Sequence, residues 1–292
     1  MIRVPASLAE RAATVRRVAG VPLVHKMNLR SREPGTRLVR MKTRFGQFCP
    51  VAVACEVFAE RWTPMVLREL FSGSQHFNEI HRGVPLMSRA LLARRLRELE
   101  DAGVIEKTPI AGKRGYAYKL TPSGREFQPV LEALGHWGQR WTVRVQRDNL
   151  DAGFLMWNVR RRIARDRLPD RRTVACFRFT GIPQGNRGPR VFWLVLERSG
   201  VELCIEDPGF ETDLEIEANL ATLAGVWLGD LSFDDALRTK GVQLFGPRRL
   251  TVAFPQWLML SHYAHVPRPG KPSASNTGLP TAGAAHATAH AS

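Results

Sequence analysis

Residues 88–103 read SRALLARRLRELEDAG, and this stretch decides the fold of the first half of the chain. Ser88 suits a helix N-cap, because its hydroxyl can accept a backbone N–H left free in the first turn. Gly103 closes the segment, where a residue free to take positive φ ends a helix. Between them Leu92, Leu96 and Leu99 stand at i, i+4 and i+7 and make one apolar stripe. At about 100° per residue, Ala90, Arg94, Arg97 and Asp101 point away from that stripe. Arg89 and Arg95 flank it. The spacing predicts a helix over 89–102 with leucines toward a core and small residues and arginines outward.

Working outward, HFNEIHR (76–82) predicts a short helix with Phe77 and Ile80 apolar, and Gly83-Val84-Pro85 a turn. Short helix, turn and arginine-bearing second helix is the layout of a helix-turn-helix. An α-helix fits the DNA major groove, and arginine contacts guanine bidentately or pairs with phosphate. An ordinary solvated amphipathic helix would show the same pattern. Downstream, Val104–Thr108 predicts a strand, Gly112-Lys113-Arg114-Gly115 a tip, and Tyr116–Leu120 the return strand, with Thr121 capping a helix at Pro122. A hairpin with a cationic tip behind the second helix is the layout of a winged helix. Ser88, Arg89, Arg94 and Arg97 are thus the candidate base and phosphate contacts, with Arg95 beside them. Lys113 and Arg114 are the candidate wing contacts to phosphate or minor groove.

Two further helices frame this block. Pro50 suits a first turn, with Val51, Ala54, Cys55 and Phe58 recurring at helical spacing as an inward stripe. Thr63 and Pro64 read as N-cap and N1 of a helix over 64–71 that carries Val66, Leu67 and Leu70 and stops at Gly73. At the far end Phe127, Val130, Leu134, Trp137 and Trp141 are spaced 3, 4, 3 and 4 apart, a heptad-like seam for a homodimer or for packing within the domain.

CPVAVACEVFAERWTPMVLREL, FNEIHRGVPLMSRALLARRLRELEDAGVIEK and YKLTPSGREFQPVLEALGHWGQRW resemble the HxlR-type winged-helix transcription regulators, over about residues 48–141. The shared features are the Cys-Pro start, Arg61-Trp62, the Leu96, Leu99, Glu100, Gly103 end of the reading helix, and Leu120-Thr121-x-x-Gly124 after the wing. The resemblance implies a dimeric bacterial transcription factor that binds a promoter palindrome in double-stranded DNA. It also marks Cys49, just before the first helix, as a candidate redox-sensing thiol, since some members use this cysteine to sense oxidants or electrophiles. A helix dipole can lower the pKa of a thiol so placed.

The charge of the chain fits such a partner. Its 292 residues hold 43 Lys+Arg against 27 Asp+Glu, net +16. Residues 1–40 carry nine basic and two acidic residues, and 41–146 carry sixteen and ten. Residues 147–265 carry sixteen and fifteen, and 266–292 two and none. The excess lies in the first half, so an anionic partner is expected there. Residues 1–44 read as a disordered basic extension. Either translation starts at Met41, or residues 1–40 are an arm that tracks DNA phosphates. Residues 266–292, rich in Pro, Gly, Ala, Ser and His, read as a disordered tail. No apolar run is long enough to span a membrane and no secretory signal is recognisable, so a cytoplasmic, nucleoid-associated protein is expected. Cys49, Cys55, Cys176 and Cys204 are too scattered for a zinc site, and His286 and His290 make a poor one, so neither metal nor cofactor is expected.

The block 45–146 is followed by a second, 150–262, of different texture. A helix from Phe154 to Ile163 precedes strands at Thr173–Phe179, Arg190–Glu197, Val201–Glu206 and Leu214–Glu217. Helices at 219–228 and 232–239, a strand at Val242–Phe245 and a helix from Arg248 to Leu258 complete it. This predicts an antiparallel sheet with helices on one side. No nucleophile sits beside a base, so no enzyme is expected. Large apolar side chains abound, Phe177, Phe179, Phe192 and Trp227 among them, as core or as a pocket lining. ATLAGVWLGDLSFDDALRTKGVQLFGPRRL (221–250) resembles a sterol carrier protein-type lipid-binding domain. The cues are Gly-Asp-x-Ser after a helix, then Ala-Leu, then Gly241 to Gly246-Pro247. That resemblance implies a cavity for an apolar small-molecule or acyl ligand.

The expected fold is therefore α+β: an N-terminal winged helix-turn-helix domain and a C-terminal antiparallel-sheet-plus-helices domain of sterol carrier type. The expected function is a dimeric DNA-binding regulator modulated by an apolar ligand. The rival is a lipid carrier whose basic half docks on membranes.

Overall fold

The computed structural model describes residues 45–112, 114–142 and 150–269; the basic extension, most of the Pro/Gly-rich tail, Lys113, His286 and His290 lie outside them. The first part runs α1 (Pro50–Phe58), α2 (Thr63–Phe71), α3 (Phe77–Gly83), α4 (Arg89–Asp101), β1 (Ile105–Pro109), β2 (Tyr116–Leu120), α5 (Pro122–Arg125) and α6 (Gln128–Trp141). The helix expected over 89–102 forms as α4. Ser88 Oγ accepts from Leu91 N at 3.3 Å, and Gly103 takes φ 69° behind its last turn. Leu92, Leu96 and Leu99 are buried with Val66, Leu67, Ile80, Met87 and Ile105 in one cluster. Burying each such side chain contributes about 1.5–3 kcal/mol, which offsets the entropy of ordering three short helices.

The start of α2 departs from expectation. Its N-cap is Trp62 at φ 78°, in the left-handed region, and Thr63 is buried inside the first turn without capping. One tertiary contact and one local contact flank this strained residue: Arg95 Nε donates to the carbonyl of Arg61, and the neighbouring Arg61 guanidinium lies 5.4 Å from the Trp62 ring. The inward stripe of α1 departs too. Val51 and Ala54 are exposed, Cys55 and Phe58 half-buried, and the one buried residue is Glu56, which accepts from Phe45 N at 3.2 Å.

The second part runs α7 (Ala152–Arg161), β3 (Thr173–Thr180), β4 (Val191–Glu197), β5 (Gly200–Cys204), β6 (Leu214–Asn219), α8 (Leu220–Trp227), α9 (Phe233–Arg238), β7 (Val242–Phe245) and α10 (Arg248–Trp257). The strands form one sheet in the order β5-β4-β3-β6-β7. The expectation of an antiparallel sheet is corrected here: β6 runs parallel to β3, with Ala175 opposite Leu214 and Thr180 opposite Asn219. Hairpins place β4 and β5 on one side of β3. Residues 205–213 carry the chain from β5 across to the other side of β3, where β6 enters in the direction of β3. Asp213 anchors that entry. Its carboxylate accepts from Val174 N at 2.9 Å and pairs with Arg171 at 2.7 Å, and its own N–H donates to Val174 O.

Aromatic rings of this part touch one another. Phe254 lies 5.9 Å from Phe177, 6.1 Å from Phe233 and 5.9 Å from Trp257, centroid to centroid, in tilted or edge-on pairs. Among the described residues no helix is long and apolar enough to cross a membrane.

Candidate nucleic-acid interface

Three elements converge around α4. α3 precedes it through the turn 84–87, where Met87 N donates to Val84 O at 2.9 Å. The β1–β2 hairpin follows it, in register from Ile105 opposite Leu120 to Pro109 opposite Tyr116. The hairpin is pinned to the segment before α3: Tyr118 N donates to Gln75 O at 2.8 Å, and His76 bridges Ala117. Tyr118 is partly buried between hairpin and helix. Burial, then the Glu100 carboxylate, raises its pKa, while Arg97 lowers it. The wing strand thus lies alongside the C-terminal half of the arginine helix.

The expected contact residues divide in two. Ser88, Arg89, Arg94 and Arg97 are exposed on α4 or at its start. Arg89 is oriented by Asn78, whose Oδ1 accepts from Nη2 at 2.8 Å, and by the Phe77 ring at 5.0 Å. Arg94 makes a loose exposed pair with Glu98 at 3.7 Å, weak enough to exchange for a phosphate. Arg114 is exposed at the hairpin tip, and Lys113 lies outside the described residues.

Arg95 must be removed from the contact set. It is buried, its Nη2 donates to Glu60 Oε2 at 2.7 Å, its Nη1 to Glu98, and its Nε to the carbonyl of Arg61. One position along the helix from Arg94 turns the side chain by about 100°, from solvent to the α1–α2 junction. Sequence inspection missed Asn78 and Glu60. The only available signal was their polarity, which many solvated positions share.

The seam of α6 also divides. Phe127 is buried and stacks on Phe58 at 3.7 Å, so it belongs to its own core, a correction to the expected dimer face. Val130, Leu134, Trp137 and Trp141 are exposed, the two tryptophans by 60% and 62%. The opposite side of α6 is covered by the second part. Gln139 Nε2 donates to Leu228 O at 3.0 Å, and Tyr263 packs so closely on Gly135 that a Cβ there would lie 2.1 Å from its ring. Phe45, Phe48 and Val51 are likewise exposed.

Cys49 is exposed at the N-terminus of α1. The backbone N–H groups of the first turn, Ala52 first and then Val51, hold its pKa below the usual thiol value. Burial raises Cys176 and Cys204 instead.

Residues 57–146 match the family model described as HxlR-like helix-turn-helix. Over 101 residues the chain is 32% identical to the Bacillus subtilis protein named as the uncharacterized HTH-type transcriptional regulator YvaP, covering 32% of this chain and 90% of that one. Over 98 residues it is 37% identical to the Synechocystis uncharacterized HTH-type transcriptional regulator sll1512, covering 33% of this chain and 72% of that one. Among solved structures, the redox regulator HypR in its reduced form is 27% identical, with 31% of this chain and 90% of that chain covered and a TM-score of 0.30.

Proposed function

The chain belongs to the HxlR-like helix-turn-helix family of transcriptional regulators, and on that premise we propose that it binds a promoter palindrome as a homodimer. The observation that carries this reading is α4 itself. It follows α3 and a tight turn, presents Arg89, Arg94 and Arg97 outward, and has a hairpin fixed beside it. Such a helix enters the major groove, where arginines contact guanine edges and phosphates while Arg114 at the tip reaches the flanking backbone. The exposed Val130, Leu134, Trp137 and Trp141 of α6 support the homodimer, because tryptophans this exposed are ordinarily covered by a partner. Two copies related by a two-fold axis would set half-sites about one helical turn apart, or a multiple of it. Cys49 is proposed as the reactive thiol of the regulator, and the site of action is the cytoplasm, at the nucleoid.

For residues 150–262 the proposal is a sterol carrier-type domain that takes an apolar or acyl ligand. What supports it is the position of the sequence cues. Gly229-Asp230-Leu231-Ser232 falls between α8 and α9, with Ser232 Oγ accepting from Asp235 N at 3.0 Å. Gly246-Pro247 falls between β7 and α10. Such a ligand would enter among rings now in mutual contact, and native mass spectrometry of the purified protein would find it retained.

Selection of duplexes from a randomised library by the full chain tests the DNA reading. The expected result is an enriched inverted repeat, bound more tightly than a scrambled duplex at the same salt. Equal binding of all duplexes together with binding to anionic vesicles would replace this reading with the membrane-docking carrier.

A further inference from the structure

Glu69, on the inner side of α2, has no solvent exposure at all. Its Oε1 accepts from Arg68, from Nη2 at 3.0 Å and Nε at 3.3 Å. Its Oε2 accepts from two residues of α7: Arg161 Nη2 at 2.6 Å and Trp157 Nε1 at 3.2 Å. Ser74 joins them, with Arg161 Nη2 donating to its Oγ at 2.6 Å. The carboxylate lies against Gly83, the last residue of α3, where a Cβ would stand 1.9 Å from Glu69 Cδ. Arg68, held by Glu69, donates through Nη2 to the carbonyl of Gly83 at 2.7 Å. On the same side the Arg82 guanidinium of α3 lies 5.5 Å from the Trp157 ring, which Arg160 and Arg161 flank at 4.2 and 4.6 Å.

We infer that α7 is a positioning element of the helix-turn-helix: Trp157 and Arg161 fix Glu69, Glu69 fixes Arg68, and the two together fix the end of α3 from which the turn to α4 starts. The inference rests on the DNA-binding reading above and adds that the reader is completed by residues of the second part. Bulk stability does not account for the arrangement. Desolvating a carboxylate costs several kcal/mol, and an apolar set of the same volume would serve stability as well or better. What a carboxylate with directional donors supplies is one geometry, because each hydrogen bond restricts angle as well as distance. The partner α7 sits nearly ninety residues along the chain, so any event that shifts α7 shifts the α3–α4 turn. None of these residues lies on the exposed face of α4, which separates their role from that of Arg94 and Arg97.

The test uses the full chain carrying Arg161→Met or Trp157→Phe, the second keeping an aromatic ring while losing the indole N–H and part of the buried ring volume. Arg178→Ala, an exposed arginine of β3, is the control. Binding is measured to the library-selected duplex and to its scrambled form over a salt series. Amide exchange is followed at Met87, whose N–H closes the turn, at Leu92 in the first turn of α4, and at Phe192 and Leu194 of β4. The expected result for Arg161→Met is at least tenfold weaker binding to the selected duplex, with binding to the scrambled duplex and the salt slope unchanged. Exchange at Met87 and Leu92 rises at least tenfold while β4 holds. Trp157→Phe moves the same readouts about threefold. A parallel loss on both duplexes with a slope lower by about one would make Arg161 a phosphate contact and overturn the inference. Equal acceleration in β4 would mark a purely structural role and overturn it too, as would unchanged exchange at the turn. If the wild-type chain enriches no duplex, the DNA reading fails, and the exchange data alone decide the positioning role.

Discussion

Arg95 Nη2 lies 2.7 Å from Glu60 Oε2, which ties the middle of the arginine helix to the junction between α1 and α2. Adjacent arginines on α4 thus serve opposite ends. Arg94 faces solvent, whereas Arg95 carries two bonds to the α1–α2 junction, one of them to the carbonyl that precedes the strained Trp62. Arg95→Met is expected to destabilise the protein by about 2 kcal/mol, below the 3–5 of a fully buried pair because Glu60 is partly exposed. Urea unfolding measures this, and a midpoint equal to wild type would return Arg95 to the surface.

Arg94→Ala combined with Arg97→Ala leaves folding within about 0.5 kcal/mol, since the Arg94–Glu98 pair it removes is exposed and 3.7 Å long. Specific binding should fall by about 100-fold or more, as each base-reading arginine is worth about 1–3 kcal/mol. Duplex binding as tight as wild type would show that α4 is not the reading helix.

Trp137→Glu places a charge on the exposed seam of α6. If the proposed homodimer forms through this seam, sedimentation velocity should show a dimer for the wild-type chain and a monomer for the variant, with an unchanged circular dichroism spectrum. A dimer that survives would place the homodimer contact elsewhere on the chain.

The lowered pKa of Cys49 sets a pH dependence. The thiolate is the nucleophile, so a lowered pKa brings half-maximal reactivity at a lower pH than for an ordinary thiol. Alkylation by iodoacetamide, followed by peptide mass spectrometry across pH 6–10, should label Cys49 first. Cys176 and Cys204, raised by burial, should follow at higher pH. A Cys49 profile coincident with theirs would remove it as a sensor.

Gly124 meets the chain after α4: a Cβ there would lie 2.1 Å from Val104 O, a backbone atom with no freedom to yield. Thr121 Oγ1 completes the junction, accepting from Gly124 N at 3.1 Å and donating to Gly103 O at 2.7 Å. This explains why Leu-Thr-x-x-Gly has that spacing. Gly124→Ala should cost about 2 kcal/mol, read as a lower thermal midpoint, whereas Gly112→Ala at the open hairpin tip is limited to its positive-φ strain.

The local elements of this chain were legible in its residues. Ser88, Thr121 and Ser232 cap where a hydroxyl before a helix should, the leucines of α4 face the core at helical spacing, and Gly112 and Gly115 bracket the hairpin tip at positive φ. Each of these depends on neighbours within a few positions, so propensity and periodicity suffice to read them. The exposure of Arg89, Arg94 and Arg97 on α4 followed from the same periodicity. What only the tertiary structure decided are the pairings between distant positions. Arg95 turned inward because Glu60 waits for it 35 residues away. β6 lies parallel to β3, reached by a crossover from β5 that no local pattern announces. Glu69 is buried because a residue 92 positions later supplies a guanidinium to its carboxylate. A sequence states which side chains carry charge, but burial of a charge is set by its partner, and the partner is known only once the chain has folded back on itself.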